Sequence, residues 1–246
     1  MGNNRALLPV LLGLIAWVSC IVKEDRSACP CFLRVDMQGL PSYPATLSIV
    51  GAGQFEVDRD SVLLVAVPKS GVELVAVSGA STGADGTVRI PYGFDCPPVY
   101  LFSGQVPPGL DTAYIKVQMY KQFCTLDMQF DGPPGWGEPY WGEVRGRVEG
   151  LQADGTPLEG PFDCRLDSGN SVRLPRQHPE EELWLDITMP DRLVRSFALG
   201  AYLLKAGYDW SAPDLEDITL TVNLSVSEIR FQGSGWSDTV KLDVDI

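Results

Sequence analysis

Apolar and polar residues alternate with a period of two along most of this chain. Cys31 to Met37 places Leu33, Val35 and Met37 on one face and Arg34 and Asp36 on the other. That is the pattern of a half-buried β-strand. Further strand-like runs cover 46–50, 54–57, 62–67, 72–78, 87–90 and 99–103, each bounded by Gly, Pro, Ser or Asp. A longer β-rich run covers 113–130, and its phase slips between Met119 and Cys124, which predicts a bulge or a turn near Lys121 to Phe123. Beyond it, strands are predicted over 143–151, 162–166, 171–174, 182–188, 217–230 and 239–246. Residues 193–205 form the one helical candidate, a short helix around Gly200 to Lys205. Residues 131–139 are too rich in Gly and Pro for a regular element and mark the best domain boundary.

The pattern gives an all-β chain with an N-terminal β-sandwich over 31–131, a linker over 132–139 and a C-terminal β-sandwich over 140–246. One internal echo supports a pair of related units: Val88-Arg89-Ile90-Pro91 and Val172-Arg173-Leu174-Pro175 are each followed, at equal spacing, by a second apolar run. The 246 residues suffice for two cores, and 45 % hydrophobic with 21 % charged residues is a globular composition. The formal charge of -13 lacks the basic footprint that nucleic acid requires.

Residues 1–19 read as a secretory signal: Arg5 precedes an apolar run from Ala6 to Trp17, too short to span a bilayer. Val18 and Ser19 then lead to Cys20, the arrangement of a bacterial lipoprotein signal, although Trp17 stands where leucine is usual. Cleavage would leave Cys20 first, acylated and held in outer-membrane lipid, with residues 20–30 as a tether; each buried methylene contributes about 0.8 kcal/mol. The mature chain of 227 residues would then carry a charge of -14. Lys23-Glu24-Asp25-Arg26 reads either as a solvated linker or as a segment that resembles the surface-export signal of bacteroidete lipoproteins.

Cys20 with Lys23 to Ser27 and Cys29-Pro30-Cys31 resembles the start of FimB-type fimbrial anchor lipoproteins, which include the minor-fimbrium anchor subunits of Bacteroidales. Asp95-Cys96-Pro97-Pro98-Val99-Tyr100, Lys121-Gln122-Phe123-Cys124, Arg173-Leu174-Pro175-Arg176-Gln177, Gly207-Tyr208-Asp209-Trp210 and the stretch from Trp236 to Ile246 extend the similarity over the chain. The resemblance implies two tandem transthyretin-like β-sandwiches in a surface-exposed outer-membrane lipoprotein at the base of a type V-like fimbrium. It implies a fimbrial subunit as partner and carries over no catalytic residue, cofactor or small-molecule substrate.

Cys29, Cys31, Cys96, Cys124 and Cys164 remain after lipidation, in a compartment where disulfides persist. Cys31 with Cys124, and Cys29 with Cys96, are candidate pairs; the alternative is buried thiols acting as small hydrophobes. Cys29-x-Cys31 is not structural-zinc spacing, and Asp214, Glu216 and Asp217 do not match a calcium loop. Val240, Leu242, Val244 and Ile246 alternate with polar residues, which suits either a strand donated to a neighbouring subunit or a closing strand of the second sandwich. In polymerising subunits of the type this chain resembles, an arginine protease removes the first strand. Arg26 precedes the first strand and Arg34 lies within it, and an anchor should stay uncut and keep residues 31–37. Trp136, Tyr140 and Trp141 suit packing of one sandwich on the next, or a sugar-stacking platform in a glycan-binding lipoprotein. His178, the single histidine, lies in an acidic loop with no nucleophile elbow elsewhere, so hydrolase chemistry is not indicated.

Overall fold

The computed structural model describes residues 28–41, 43–83, 86–131, 141–166, 171–179, 182–188, 192–223 and 228–241. The first strands are β1 (Cys31–Asp36), β2 (Ala45–Ile49), β3 (Gly53–Val57), β4 (Val62–Val67) and β5 (Val72–Ser78). β6 (Val88–Arg89), β7 (Tyr100–Val106), β8 (Thr112–Lys116), β9 (Tyr120–Lys121) and β10 (Phe123–Asp131) follow. Then come β11 (Trp141–Leu151), β12 (Pro157–Leu166), β13 (Ser171–Pro175), β14 (Trp184–Thr188) and β15 (Val194–Phe197). The helix α1 (Leu199–Lys205) precedes β16 (Ile218–Asn223), β17 (Glu228–Gln232) and β18 (Ser237–Lys241). Residues 193–205, read from the sequence as one helical piece, divide into an edge strand and a two-turn helix; Phe197, Leu199 and Leu203 are buried from both parts.

Two pairs of sheets enclose two main cores. In the first sandwich β4-β1-β8 faces β3-β2-β5-β7-β9 over Leu33, Val35, Leu47, Leu74 and Ala76, all fully buried. In the second, β13-β10-β16-β17-β18 faces β12-β11-β14-β15 over Leu126, Leu174, Leu185, Leu220 and Phe231. Inward positions are apolar and outward ones mostly polar, which is why the alternation was visible as strands. The fold is thus the all-β, two-sandwich architecture that the pattern and the resemblance imply.

The boundary differs from the one read at residues 132–139. β9 pairs with β7 in the first sandwich, while β10 pairs antiparallel with β13 and parallel with β16 in the second. The chain therefore passes between sandwiches at Gln122, where the phase slip lies. An inward residue of β10 looks the same from the sequence whichever core receives it. The β5–β7 connection also crosses over: β6 pairs with β11, and Val77, Val88, Val99, Leu101 and Leu151 form a small apolar cluster at the joint. Gly150 permits this approach, since a Cβ there would lie 2.1 Å from the Val88 carbonyl oxygen. Gly79 does the same beside Pro98, with φ +79° and a virtual Cβ 1.9 Å from a backbone oxygen.

Candidate functional site

The first strand, β1, is the middle strand of its sheet. It pairs antiparallel with β4, from Cys31↔Val67 to Asp36↔Val62, and parallel with β8, from Phe32↔Thr112 to Asp36↔Lys116. Cys31, Leu33 and Val35 point inward and are essentially buried, and Met37 follows them into the same core. Removing β1 would leave β4 and β8 with unpaired ladders on either side of an apolar slot, the geometry that accepts a donated strand. Arg34 is exposed, but its backbone lies between Leu64 and Tyr114 in the paired ladder.

The outward face of the same sheet is unusual. Phe32 is 60 % exposed, Leu64 74 %, Tyr114 58 % and Val62 45 %. Register places Arg34 directly between Leu64 and Tyr114, and its guanidinium carbon lies 5.9 Å from the centroid of the Tyr114 ring. The Tyr114 hydroxyl donates to an Asp36 oxygen at 2.9 Å, and this hydrogen bond, aided by desolvation, raises the phenol above its ordinary pKa. Asp36 also accepts from the Gln38 N–H and is 6 % exposed.

A second constellation clamps the joint. Gln122 is 6 % exposed; its N–H donates to the Val99 carbonyl and its own carbonyl accepts from the Arg176 N–H. The Arg176 side chain donates to Gln122 Oε1 and to the carbonyls of Trp210, Ala212 and Pro213. Burial lowers the Arg176 pKa, with Tyr208 and the Asp209 and Asp214 carboxylates opposing. The Cys96 N–H donates to the Arg173 carbonyl, and an Asp95–Arg173 ion pair of 2.9 Å lies alongside. Four stretches that carried the family resemblance, around Cys96, Gln122, Arg176 and Trp210, thus meet at one place. A groove of about 430 Å³ opens there, lined by Tyr120, Gln122, Arg176, His178 and Trp210 among others. No single stretch indicates this clasp in the sequence, although their shared resemblance was its trace.

The cysteines do not meet as the candidate pairs required. Cys31 is buried in the first core and Cys124 in the second, while Cys29 is exposed and Cys96 buried in the second core. Among the described residues no disulfide forms. Cys31 and Cys124 both point inward, but their strands enter different cores. Desolvation pushes the Cys124 thiol up to about 12, and it raises Cys96 as well. These thiols serve as core hydrophobes.

Val240 is buried in β18 opposite Ile229, so this position is spent on its own sandwich and is not presented to a neighbour. Leu242, Val244 and Ile246 lie outside the described residues, as do Cys20, Arg26, Trp136 and Tyr140. Trp141, at the start of β11, is 60 % exposed and pairs with Thr188 of β14, outside the apolar cluster of the joint, which overturns the reading of Trp141 as inter-sandwich packing. His178 is half-buried on the groove wall. Among the described residues no helix is long and apolar enough to cross a membrane, and no group of three or more His, Cys, Asp or Glu is placed to hold a metal ion.

Solved structures share this architecture. The fimbrial anchor protein Mfa2 from Porphyromonas gingivalis superposes with a TM-score of 0.58 at 14 % identity, covering 85 % of this chain and 99 % of that one. The chain has the fold of a fimbrial anchor protein. A candidate polysaccharide-binding protein from Bacteroides thetaiotaomicron gives 0.61 at 11 % identity over 86 % and 98 % of the two chains. A candidate adhesin from Bacteroides ovatus gives 0.59 at 10 % over 86 % and 95 %. No protein-family model matches the sequence, and no curated protein does.

Proposed function

We propose that this protein is a surface lipoprotein, held in the outer membrane by acylated Cys20, that anchors or joins a fimbrial assembly through β-strand contacts with a subunit. The observation that carries the reading is the seating of β1. Paired on both sides and buried through Leu33 and Val35, it closes the first sandwich against a donor strand. A subunit closed in this way ends a polymer and does not extend it. The likeness in fold to a fimbrial anchor protein supports the same reading. The mechanism is mechanical: lipid holds one end, and exposed strand edges hold the partner through main-chain pairing.

The test is a gel of sheared surface and membrane material run in detergent without boiling and probed for this chain. A high-mass ladder that collapses to monomer on heating supports assembly. A monomer alone, with fimbriae present, contradicts it. A second reading, glycan binding, rests on the exposed Trp141 ring and on the likeness to a candidate polysaccharide-binding protein. Its mark is saturable sugar binding that is lost on Trp141→Ala.

A further inference from the structure

The outward face of β4-β1-β8 has no role in either core. Three strands bring Phe32, Leu64, Val62 and the Tyr114 ring to one surface, with Arg34 at its centre and Lys116 at its edge. Isolated exposed apolar residues need no explanation, but four on one rigid face, around a cation, form a patch. Its free charges are positive, on a chain whose formal charge is -13. Asp36, its carboxylate, is buried and engaged by Tyr114 and the Gln38 N–H.

The geometry points to an anionic lipid surface as the occupant of this face. Aromatic and aliphatic side chains interleaved with Arg and Lys suit the boundary between headgroups and acyl chains. Chain length agrees. Phe32 follows Cys20 by twelve residues, so at 3.3–3.6 Å per residue the patch lies within about 40 Å of an acylated Cys20. A tether this short gives an effective concentration on the order of millimolar, so a weak patch suffices to hold the first sandwich flat on the membrane. The second sandwich would then project away as the platform for assembly. This inference rests on the lipoprotein reading for its biological setting, but the binding itself is a property of the face.

The test uses the mature chain from residue 20 carrying Cys20→Ser, so that no acyl chain contributes. It is sedimented with phosphatidylcholine vesicles that contain or lack phosphatidylglycerol, at millimolar lipid and low salt. Binding is expected only with phosphatidylglycerol present, and should weaken as salt rises. Arg34→Gln and Lys116→Gln should each reduce the partition coefficient roughly fivefold. Phe32→Ser with Leu64→Ser should abolish binding, while circular dichroism and the melting temperature show the fold kept. Thr221→Ala, on the outer face of the other sandwich, should change nothing. Absence of binding, or equal binding by all variants, overturns the inference. So does concentration-dependent self-association that disappears with Phe32→Ser and Leu64→Ser, which would give the face to a second copy. Lipidation is read separately, by incorporation of a palmitate analogue at Cys20 in cells; its failure would remove the setting without touching the vesicle result.

Discussion

The two sandwiches are built alike and finished differently. Residues 28–122 carry six basic and eight acidic residues, whereas residues 123–246 carry ten and twenty-two. The outer face of β10-β16-β17 in the second sandwich is polar: Gln129, Thr219, Thr221 and Gln232 line a groove of about 630 Å³ with Lys121, Glu216 and Asp217. The matching face of the first sandwich presents Phe32, Leu64 and Tyr114. A β-sandwich needs apolar residues only on its inward positions. The polar outer face shows what folding alone asks for, and the apolar one shows what it does not ask for. The difference marks the outer face of the first sandwich as the one whose apolar residues folding does not explain.

Substitutions can break this comparison, beginning with the cores. Leu33→Ala should cost about 2–5 kcal/mol and act on the first sandwich, while Leu174→Ala should act on the second. Scanning calorimetry should show a different part of the transition moving in each case, and identical shifts would mean that the sandwiches melt as one unit. Arg176→Ala leaves the carbonyls of Trp210, Ala212 and Pro213 without their donor, and should cost about 2–3 kcal/mol in urea unfolding. The same change should loosen the joint, seen as faster proteolysis near Gln122.

A smaller effect concerns acid. Burial raises the Asp217 carboxyl, but hydrogen bonds from Lys121 and the Thr125 N–H outweigh it and hold the group below its ordinary pKa. A depressed carboxylate stabilises the fold above its unfolded pKa of about 3.9, and that contribution is lost as pH falls through the folded value. Stability should therefore hold from neutral pH to about 5 and decline below 4, and Asp217→Asn should flatten the decline. Chemical denaturation at stepped pH checks this. Among the thiols, alkylation of the folded protein should modify exposed Cys29 quickly and spare Cys31, Cys96 and Cys124 until it unfolds. Phe32→Ser should change stability by no more than about 0.5 kcal/mol, which separates the outer face of β1 from its inner one.

Most strands were legible because inward and outward positions alternate: β4 and β5 have the bounds that their apolar runs announce. What failed was attribution between two cores of one chemistry. Leu126 and Leu33 read alike, so β10 was assigned to the wrong sandwich and Cys124 to the wrong partner. The phase slip at Lys121 to Phe123 was a true signal, and its meaning, the passage between sandwiches, came only from the pairing of β9 and β10. The clasp joins Gln122 and Arg176, 54 positions apart, and ends on the backbone carbonyls of Trp210, Ala212 and Pro213, which no residue type marks in the sequence. Trp141 was misread because an aromatic beside a Gly-Pro linker suggests packing, whereas the joint is built by Val77, Val88 and Leu151.

The central claim is that β1 stays in place and closes the first sandwich. N-terminal mass analysis of the protein recovered from whole cells and from the culture medium tests it most directly. The account predicts a chain that begins at acylated Cys20 and retains Cys31 to Asp36. A mature chain beginning at Ser27 or Val35 would show cleavage after Arg26 or Arg34, release from lipid and an opened sandwich, and would contradict the account.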